Sequence, residues 1–166
     1  IVFRALEDYC ISNDTIISIG QFAVLWGMVE EEYFNRCCTN KKLGKICILH
    51  QSQNLISYAY EIKKALTEYY QSGIVAVERL SMREKDRMFS TIITSFLCEE
   101  EANPNNAIYA SICICFRIRN NLFHGEKVFW CLNQQKVIID ACSYFLNELI
   151  AEEEVFQIVE EYEVMP

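Results

Sequence analysis

Apolar residues recur at helical spacing along most of this chain, and few glycines or prolines interrupt them. The 166 residues include only five Gly and two Pro, too few for a β-sandwich with many turns. Five segments place apolar side chains three or four residues apart and are predicted helices: 14–38, 51–71, 82–98, 105–123 and 134–154. Their connections are short, so we expect an all-α, mostly antiparallel bundle of four to five helices.

Capping residues and glycines refine the expected helix ends. Ser81-Met82-Arg83-Glu84 matches a capping box, and Pro104 suits a first helical position. Gly73 suits the C-terminal stop of the second helix. Gly20 and Gly27 lie inside the first helix, where each costs about 1 kcal/mol against Ala. We therefore expect another helix to approach closely at these two glycines.

The length suits one domain, which we place over residues 1–166 with its helical core at about 14–154. Residues 155–166 form an acidic tail that we expect at the periphery. The chain opens at Ile1 without a Met, which is consistent with a piece of a longer protein. No signal peptide is visible, and no apolar run reaches the roughly 20 residues of a membrane-spanning helix. We expect no membrane association.

The net charge of −8 is concentrated near the C-terminus. Seven acids and no Lys or Arg follow from Glu148 onward, which leaves 16 acidic and 15 basic residues before it, a net of −1. Residues 111–136 hold four basic residues against Glu126 alone, a net of +3. Overall acidity argues against extended binding to duplex nucleic acid, but a locally basic stretch remains compatible with RNA phosphates.

The nine cysteines form no C-x-x-C pair, and most lie in apolar segments with helical spacing. An odd count without framework spacing indicates reduced thiols and a cytoplasmic protein rather than a secreted disulfide scaffold. A zinc site needs four convergent ligands, and His50 with the paired cysteines is a poor match to that requirement. We predict no metal site and no cofactor, and His50 is expected to be an ordinary structural histidine.

The stretch 117–127 carries the residues best suited to phosphate chemistry. It holds two arginines, two amides and one of only two histidines. On an ideal helix Arg119 falls within the apolar stripe, whereas Arg117, Asn121 and His124 lie opposite. His124 follows the helix end, where the dipole favours the imidazolium form. A guanidinium beside a general acid or base suits stabilisation of a reacting phosphate.

The segment from Arg119 to Gly125 resembles the Arg-polar-x-x-x-His signature of the HEPN superfamily, most closely the Apea-like HEPN group. The resemblance in helical plan covers most of residues 14–154, and the motif itself spans seven residues. It implies metal-independent RNA cleavage to 2′,3′-cyclic phosphate ends by a homodimer with a composite active site. A toxin–antitoxin or antiviral defence role follows from it, with an antitoxin or regulatory protein as a partner.

The resemblance assigns roles by position. Arg119 would hold the scissile phosphate, His124 would act as general base or acid, and Asn120 would orient them. Three further residues are candidate phosphate contacts: Arg117, Asn121 and Lys127. Arg117 also satisfies the motif spacing at its longer limit and is an alternative working arginine. Independently of the resemblance, Glu30 is a candidate brace for Arg119, because a cation in an apolar stripe needs a partner.

Two other interpretations of the motif remain open. His124-Gly125 is also typical of an ordinary helix C-cap, and Arg119 of a buried ion pair. The chain would then be a non-catalytic dimerisation, nucleotide-binding or protein-interaction module of a larger regulatory protein. An ideal helix separates Arg119 from His124 by about 140°. Joint action therefore requires the helix to unwind before Gly125, or a second subunit to supply one partner.

Overall fold

A computed structural model of the protein describes residues 9–35, 42, 46, 52–80, 87–99, 103–123 and 131–163. Over these residues the chain forms six α-helices and no strand, which confirms the predicted all-α fold class. The helices are α1 (Asn13–Phe34), α2 (Gln53–Tyr70), α3 (Gly73–Arg79), α4 (Arg87–Cys98), α5 (Pro104–Phe123) and α6 (Leu132–Glu163). No described helix is both long and apolar enough to cross a membrane.

Helix α1 begins and ends at polar caps. The Ser12 hydroxyl accepts a hydrogen bond from the backbone N–H of Thr15 at 3.1 Å, which satisfies one free donor of the first turn. Asn35 adopts a left-handed conformation, with φ at 44°, and its N–H donates to the Glu30 carbonyl. Asn tolerates this conformation better than most residues. The helix therefore stops at Phe34, four residues before the predicted end.

The link between α2 and α3 differs from the prediction. Gln71, with φ at 57°, ends α2, and the Ser72 hydroxyl caps α3 by accepting from the backbone N–H of Val75. Gly73 is thus the first residue of a helix, not the stop of one. A Cβ added at Gly73 would lie 2.5 Å from the Leu97 carbonyl oxygen. Gly73 lets α3 approach the end of α4 closely.

The glycines of α1 have no such role. A Cβ added at Gly20 or Gly27 would meet no atom of the described residues within 4 Å. Both glycines lie on the exposed side of the helix, so the predicted close approach of another helix is wrong.

Three further helix boundaries can be compared with the prediction: the start of α4, the start of α5 and the end of α6. The capping box at 81–84 lies outside them, and α4 is described from Arg87. Helix α5 begins at Pro104, as the first-turn preference of proline predicts. Helix α6 continues to Glu163, so most of the predicted peripheral tail is helical. The tail contains no Gly and no Pro before Pro166, so nothing in residues 155–163 breaks a helix.

Helix α6 packs against both α1 and α2, and it runs parallel to α1 but antiparallel to α2. Asn133 accepts hydrogen bonds from the Ser12 N–H at 3.0 Å and the Thr15 hydroxyl at 2.9 Å. At the other end of α1, the Tyr33 hydroxyl donates to the Leu149 carbonyl at 3.0 Å. Residues early in α1 meet residues early in α6, and late ones meet late ones. These two helices therefore run in the same direction.

Helix α2 runs antiparallel to α6. Ser52, at the start of α2, donates a hydrogen bond to Glu152. Further along, the rings of Tyr58 and Tyr144 stack with centroids 6.3 Å apart. The bundle is thus antiparallel at α2 and α6 but not at α1 and α6.

Helix α5 lies in the interior of the bundle. Residues 107–118 are almost all buried, with only Tyr109 and Phe116 partly exposed. The Trp26 ring of α1 packs against Phe116, with centroids 5.9 Å apart, and against Phe34 at 6.1 Å. Arg119 and Asn120 follow directly after this buried segment, where the helix becomes partly exposed.

Candidate functional site

Arg119 and Asn120 lie in the last turn of α5, where the helix leaves the core. The Arg119 side chain is 31 % exposed, and its Nη1 donates to Asn120 Oδ1 at 3.0 Å. Its Nη2 lies 3.8 Å from a carboxylate oxygen of Glu30 on α1. The structure thus brings together three predicted site residues. The Glu30 contact is at the long limit of an ion pair, so the guanidinium keeps donors for another anion.

Arg117 occupies a different environment from Arg119. It is only 3 % exposed, and its Nε donates to the Leu80 carbonyl at 3.2 Å within the protein. The predicted orientation was therefore wrong: Arg117, not Arg119, is the arginine among the buried side chains. Because α5 is enclosed on nearly all sides, its apolar residues do not define one inward stripe. Buried in this way, Arg117 supports the fold and is not placed to contact a substrate phosphate.

Phe123, in the last turn of α5, is 52 % exposed although its side chain is apolar. It follows Arg119 by four residues, and residues at this spacing lie on the same helix face. The end of α5 therefore presents an aromatic ring and a guanidinium side by side. Aromatic faces stack on unpaired bases and arginine pairs with phosphates, so this combination suits single-stranded nucleic acid.

Asn121 lies away from the Arg119 face. It is 8 % exposed and lines a cavity of about 530 Å³ between α2, α3, α5 and α6. Arg79 and Tyr70 line the same cavity. The structure does not join Asn121 with Arg119 and Asn120 in one cluster, so its predicted phosphate contact would belong to a separate site.

Four predicted residues lie outside the described residues: His50, His124, Gly125 and Lys127. The last described residue of α5 is Phe123, directly before His124. The proposed acid or base is thus one peptide bond beyond the turn that carries Arg119 and Asn120.

The described cysteines are free thiols in contrasting environments. Cys98 is exposed, whereas Cys113, Cys115 and Cys142 are buried in the core. Burial raises the pKa of Cys115 well above its usual value, and a hydrogen bond with Cys142 adds to this effect. A thiol held neutral in this way is a poor nucleophile and a poor metal ligand. Within the described part of the chain, no group of three or more His, Cys, Asp or Glu is arranged to hold a metal ion.

Sequence reasoning missed the cavity residues Tyr70 and Arg79. Arg79 belongs to α3, a seven-residue helix that periodicity does not reveal. The pair Ser72-Gly73 was the available signal, since Ser is a common N-cap. Burial, followed by the neighbouring Tyr69, raises the pKa of Tyr70, so its phenol remains a neutral donor.

Two surfaces with different chemistry therefore lie at the end of α5. One carries Arg119, Asn120 and Phe123 and suits an anionic, base-bearing polymer. The other is the cavity lined by Asn121. No protein-family model matches this chain, and no curated protein or solved structure matches it either.

Proposed function

We propose that this protein is a metal-independent endoribonuclease of the HEPN type, acting as a homodimer with a composite active site. The observation that carries the proposal is the partly exposed guanidinium of Arg119, held by Asn120 and Glu30 and placed five residues before His124 in the sequence. A guanidinium fixed at both ends of its fork is preorganised to receive a phosphate. The resemblance of the motif to HEPN ribonucleases supports the same assignment.

The reaction uses a nucleophile that the RNA itself supplies. His124 removes the proton of a ribose 2′-OH, and the 2′-oxygen attacks the adjacent phosphorus. The bond from phosphorus to the 5′-oxygen breaks, and that oxygen takes up a proton from a second acid. The products are a 2′,3′-cyclic phosphate and a 5′-OH. Arg119 stabilises the charge that develops on the phosphate oxygens, and Asn120 holds Arg119 in place.

The dimer is part of the proposal for a geometric reason. An ideal helix would separate Arg119 from His124 by about 140°, so one copy does not align both on one phosphate without unwinding. The exposed ring of Phe123 lies on the Arg119 face and supplies apolar area for a partner or for an unstacked base. Two copies meeting at this end would place each Arg119 near the partner copy's motif.

The biological setting follows from the same resemblance. A ribonuclease of this class acts in toxin–antitoxin or antiviral defence, with a regulatory partner that restrains it in the cytoplasm. The locally basic stretch at 111–136 supplies positive charge for RNA within an otherwise acidic chain.

Incubation of the purified protein with tRNA and mRNA in excess EDTA tests the proposal. Cleavage to 2′,3′-cyclic phosphate ends is expected for the wild type and is lost in His124→Ala and Arg119→Gln. Lys64→Gln, which removes an exposed positive charge on α2, is the matched control and retains cleavage. Equal cleavage by the wild type and a folded His124→Ala variant would exclude the catalytic assignment.

A second candidate function is a non-catalytic dimerisation module, and the surface of α1 favours it. Ile17, Val24 and Met28 are exposed and lie within about 40° of one another on the helix. Exposed apolar stripes of this kind are typical of protein–protein contacts. Analytical ultracentrifugation measures self-association of the wild type and of Val24→Glu. Self-association that is lost in Val24→Glu would support this function instead, provided that the wild type leaves RNA intact.

A further inference from the structure

The cavity beside Asn121 has the size and the chemistry of a small-molecule site that the proposed ribonuclease activity does not use. Its volume of about 530 Å³ falls in the range of cavities that hold small ligands. Its floor is apolar and includes Leu66, Ile118 and Ile138. A ligand with a flat, mostly apolar body would cover this floor.

Asn121 offers hydrogen bonds that the protein does not use. Its side chain is more than nine-tenths buried, and no hydrogen bond to it is present among the described residues. Because Asn121 lines the cavity, a ligand can accept a hydrogen bond from its amide nitrogen or donate one to its amide oxygen.

The polar rim of the cavity favours an anion. Arg79 lines it and forms no ion pair with any described residue. No Asp or Glu is found among the described lining residues. The chain as a whole is acidic, so a cation on a rim whose described lining residues include no Asp or Glu is a selective feature of this cavity.

Two tyrosines provide an aromatic wall. The rings of Tyr69 and Tyr70 meet edge to face, with centroids 4.7 Å apart. Both residues line the cavity, and the raised pKa of Tyr70 keeps its hydroxyl protonated as a hydrogen-bond donor at neutral pH. Such a wall favours an aromatic ligand by stacking and edge contacts.

We propose that this cavity binds a small aromatic anion. The ring lies against the tyrosine wall, the anionic group pairs with Arg79, and a polar group on the ring hydrogen-bonds the amide of Asn121. An aryl carboxylate and a nucleoside monophosphate share this chemistry. The proposal is independent of the ribonuclease assignment, since none of these four residues belongs to the Arg119 cluster.

Isothermal titration calorimetry of the full chain tests the proposal with two sets of probes. One set is 4-hydroxybenzoate with its neutral counterpart 4-hydroxybenzamide, and the other is AMP and UMP with adenosine and uridine. At least one anion is expected to bind below about 1 mM, and at least tenfold more tightly than its neutral counterpart. The set that binds identifies the source of the ligand.

Three variants decide whether the binding is at this cavity. Arg79→Gln is at an exposed position and should fold normally, and it is expected to weaken anion binding about tenfold. Asn121→Leu removes the amide at similar volume and should weaken binding about fivefold or more, with circular dichroism to confirm the fold. Lys64→Gln is the matched charge control on α2.

Several results would overturn the proposal. The proposal fails if no probe binds at about 1 mM. It also fails if the anions and their neutral counterparts bind equally, or if Arg79→Gln leaves anion binding unchanged. Binding lost in Arg119→Gln but kept in Arg79→Gln would assign the anion to the Arg119 cluster instead. RNA cleavage in EDTA is measured separately, so failure of one proposal leaves the other standing.

Discussion

Replacing each arginine of α5 by alanine should separate a structural arginine from a functional one. Arg117→Ala removes a charged donor to the Leu80 carbonyl, worth about 1.5–3 kcal/mol. It also loses two buried methylenes, Cγ and Cδ, worth about 1.6 kcal/mol together. Relief of the desolvation of a buried cation offsets part of this, which leaves a net loss of about 3 kcal/mol. Arg119→Ala, at a partly exposed ion pair, should cost only about 0–1 kcal/mol.

Urea denaturation followed by circular dichroism measures both changes. With an m-value of about 2 kcal/mol/M, Arg117→Ala should lower the midpoint by about 1.5 M, and Arg119→Ala by no more than about 0.5 M. In the RNA assay the order should reverse, because folded Arg119→Ala loses cleavage and folded Arg117→Ala retains it. Equal midpoints for the two variants would refute the distinction drawn from their burial. Loss of cleavage only in Arg117→Ala would make Arg117 the working arginine.

Three further predictions test packing and titration. Gly73→Ala should lower the free energy of unfolding by about 1–3 kcal/mol in urea titrations, because its Cβ would meet an α4 carbonyl at 2.5 Å. Gly27→Ala should raise it by about 0.5–1 kcal/mol, and the opposite order would contradict the packing of α3. Iodoacetamide should label exposed Cys98 well before buried Cys115 in the native protein, as read by peptide mass spectrometry; equal rates would contradict the burial. The folded-state pKa of Tyr70 is raised, so its contribution to stability is complete below pH 10.0 and is lost as the pH rises further. Tyr70→Phe should therefore lose less stability above that pH, and identical pH profiles would exclude this contribution.

Periodicity predicted the helices well because their tertiary contacts agree with their local patterns. Helix α5 is the clearest case, since Pro104 starts it where a proline is favoured and it stays helical through Phe123, the last described residue of that segment. The same periodicity misplaced the two arginines. A helical wheel assumes one apolar face, but residues 107–118 are buried on nearly all sides. Only the neighbouring helices decide that Arg117 meets the Leu80 carbonyl while Arg119 reaches solvent.

The glycines show a second limit of sequence reasoning. Gly20, Gly27 and Gly73 are alike in sequence terms, because each occurs near apolar residues. Only Gly73 is required for close approach, and this depends on α4, which follows later in the chain. The short helix α3 and the cavity it borders were missed for the same reason. A seven-residue helix gains its stability from tertiary packing and not from its own pattern.

Glu30 provides a final test that distinguishes two roles for a carboxylate near a phosphate-binding arginine. At 3.8 Å from Arg119 Nη2 it helps to orient the guanidinium, but its negative charge also opposes an incoming phosphate. Asn120 already holds Nη1 of Arg119 at 3.0 Å, so the orientation of the guanidinium survives without Glu30.

Under the proposed function, Glu30→Gln should therefore lower the KM for RNA by about two- to fivefold, the size of an exposed charge effect. The salt dependence of KM should become steeper, because the site gains net positive charge. Thermal unfolding of Glu30→Gln should match the wild type to within about 0.5 kcal/mol. A higher KM with a lower kcat would instead show that Glu30 is needed to position Arg119.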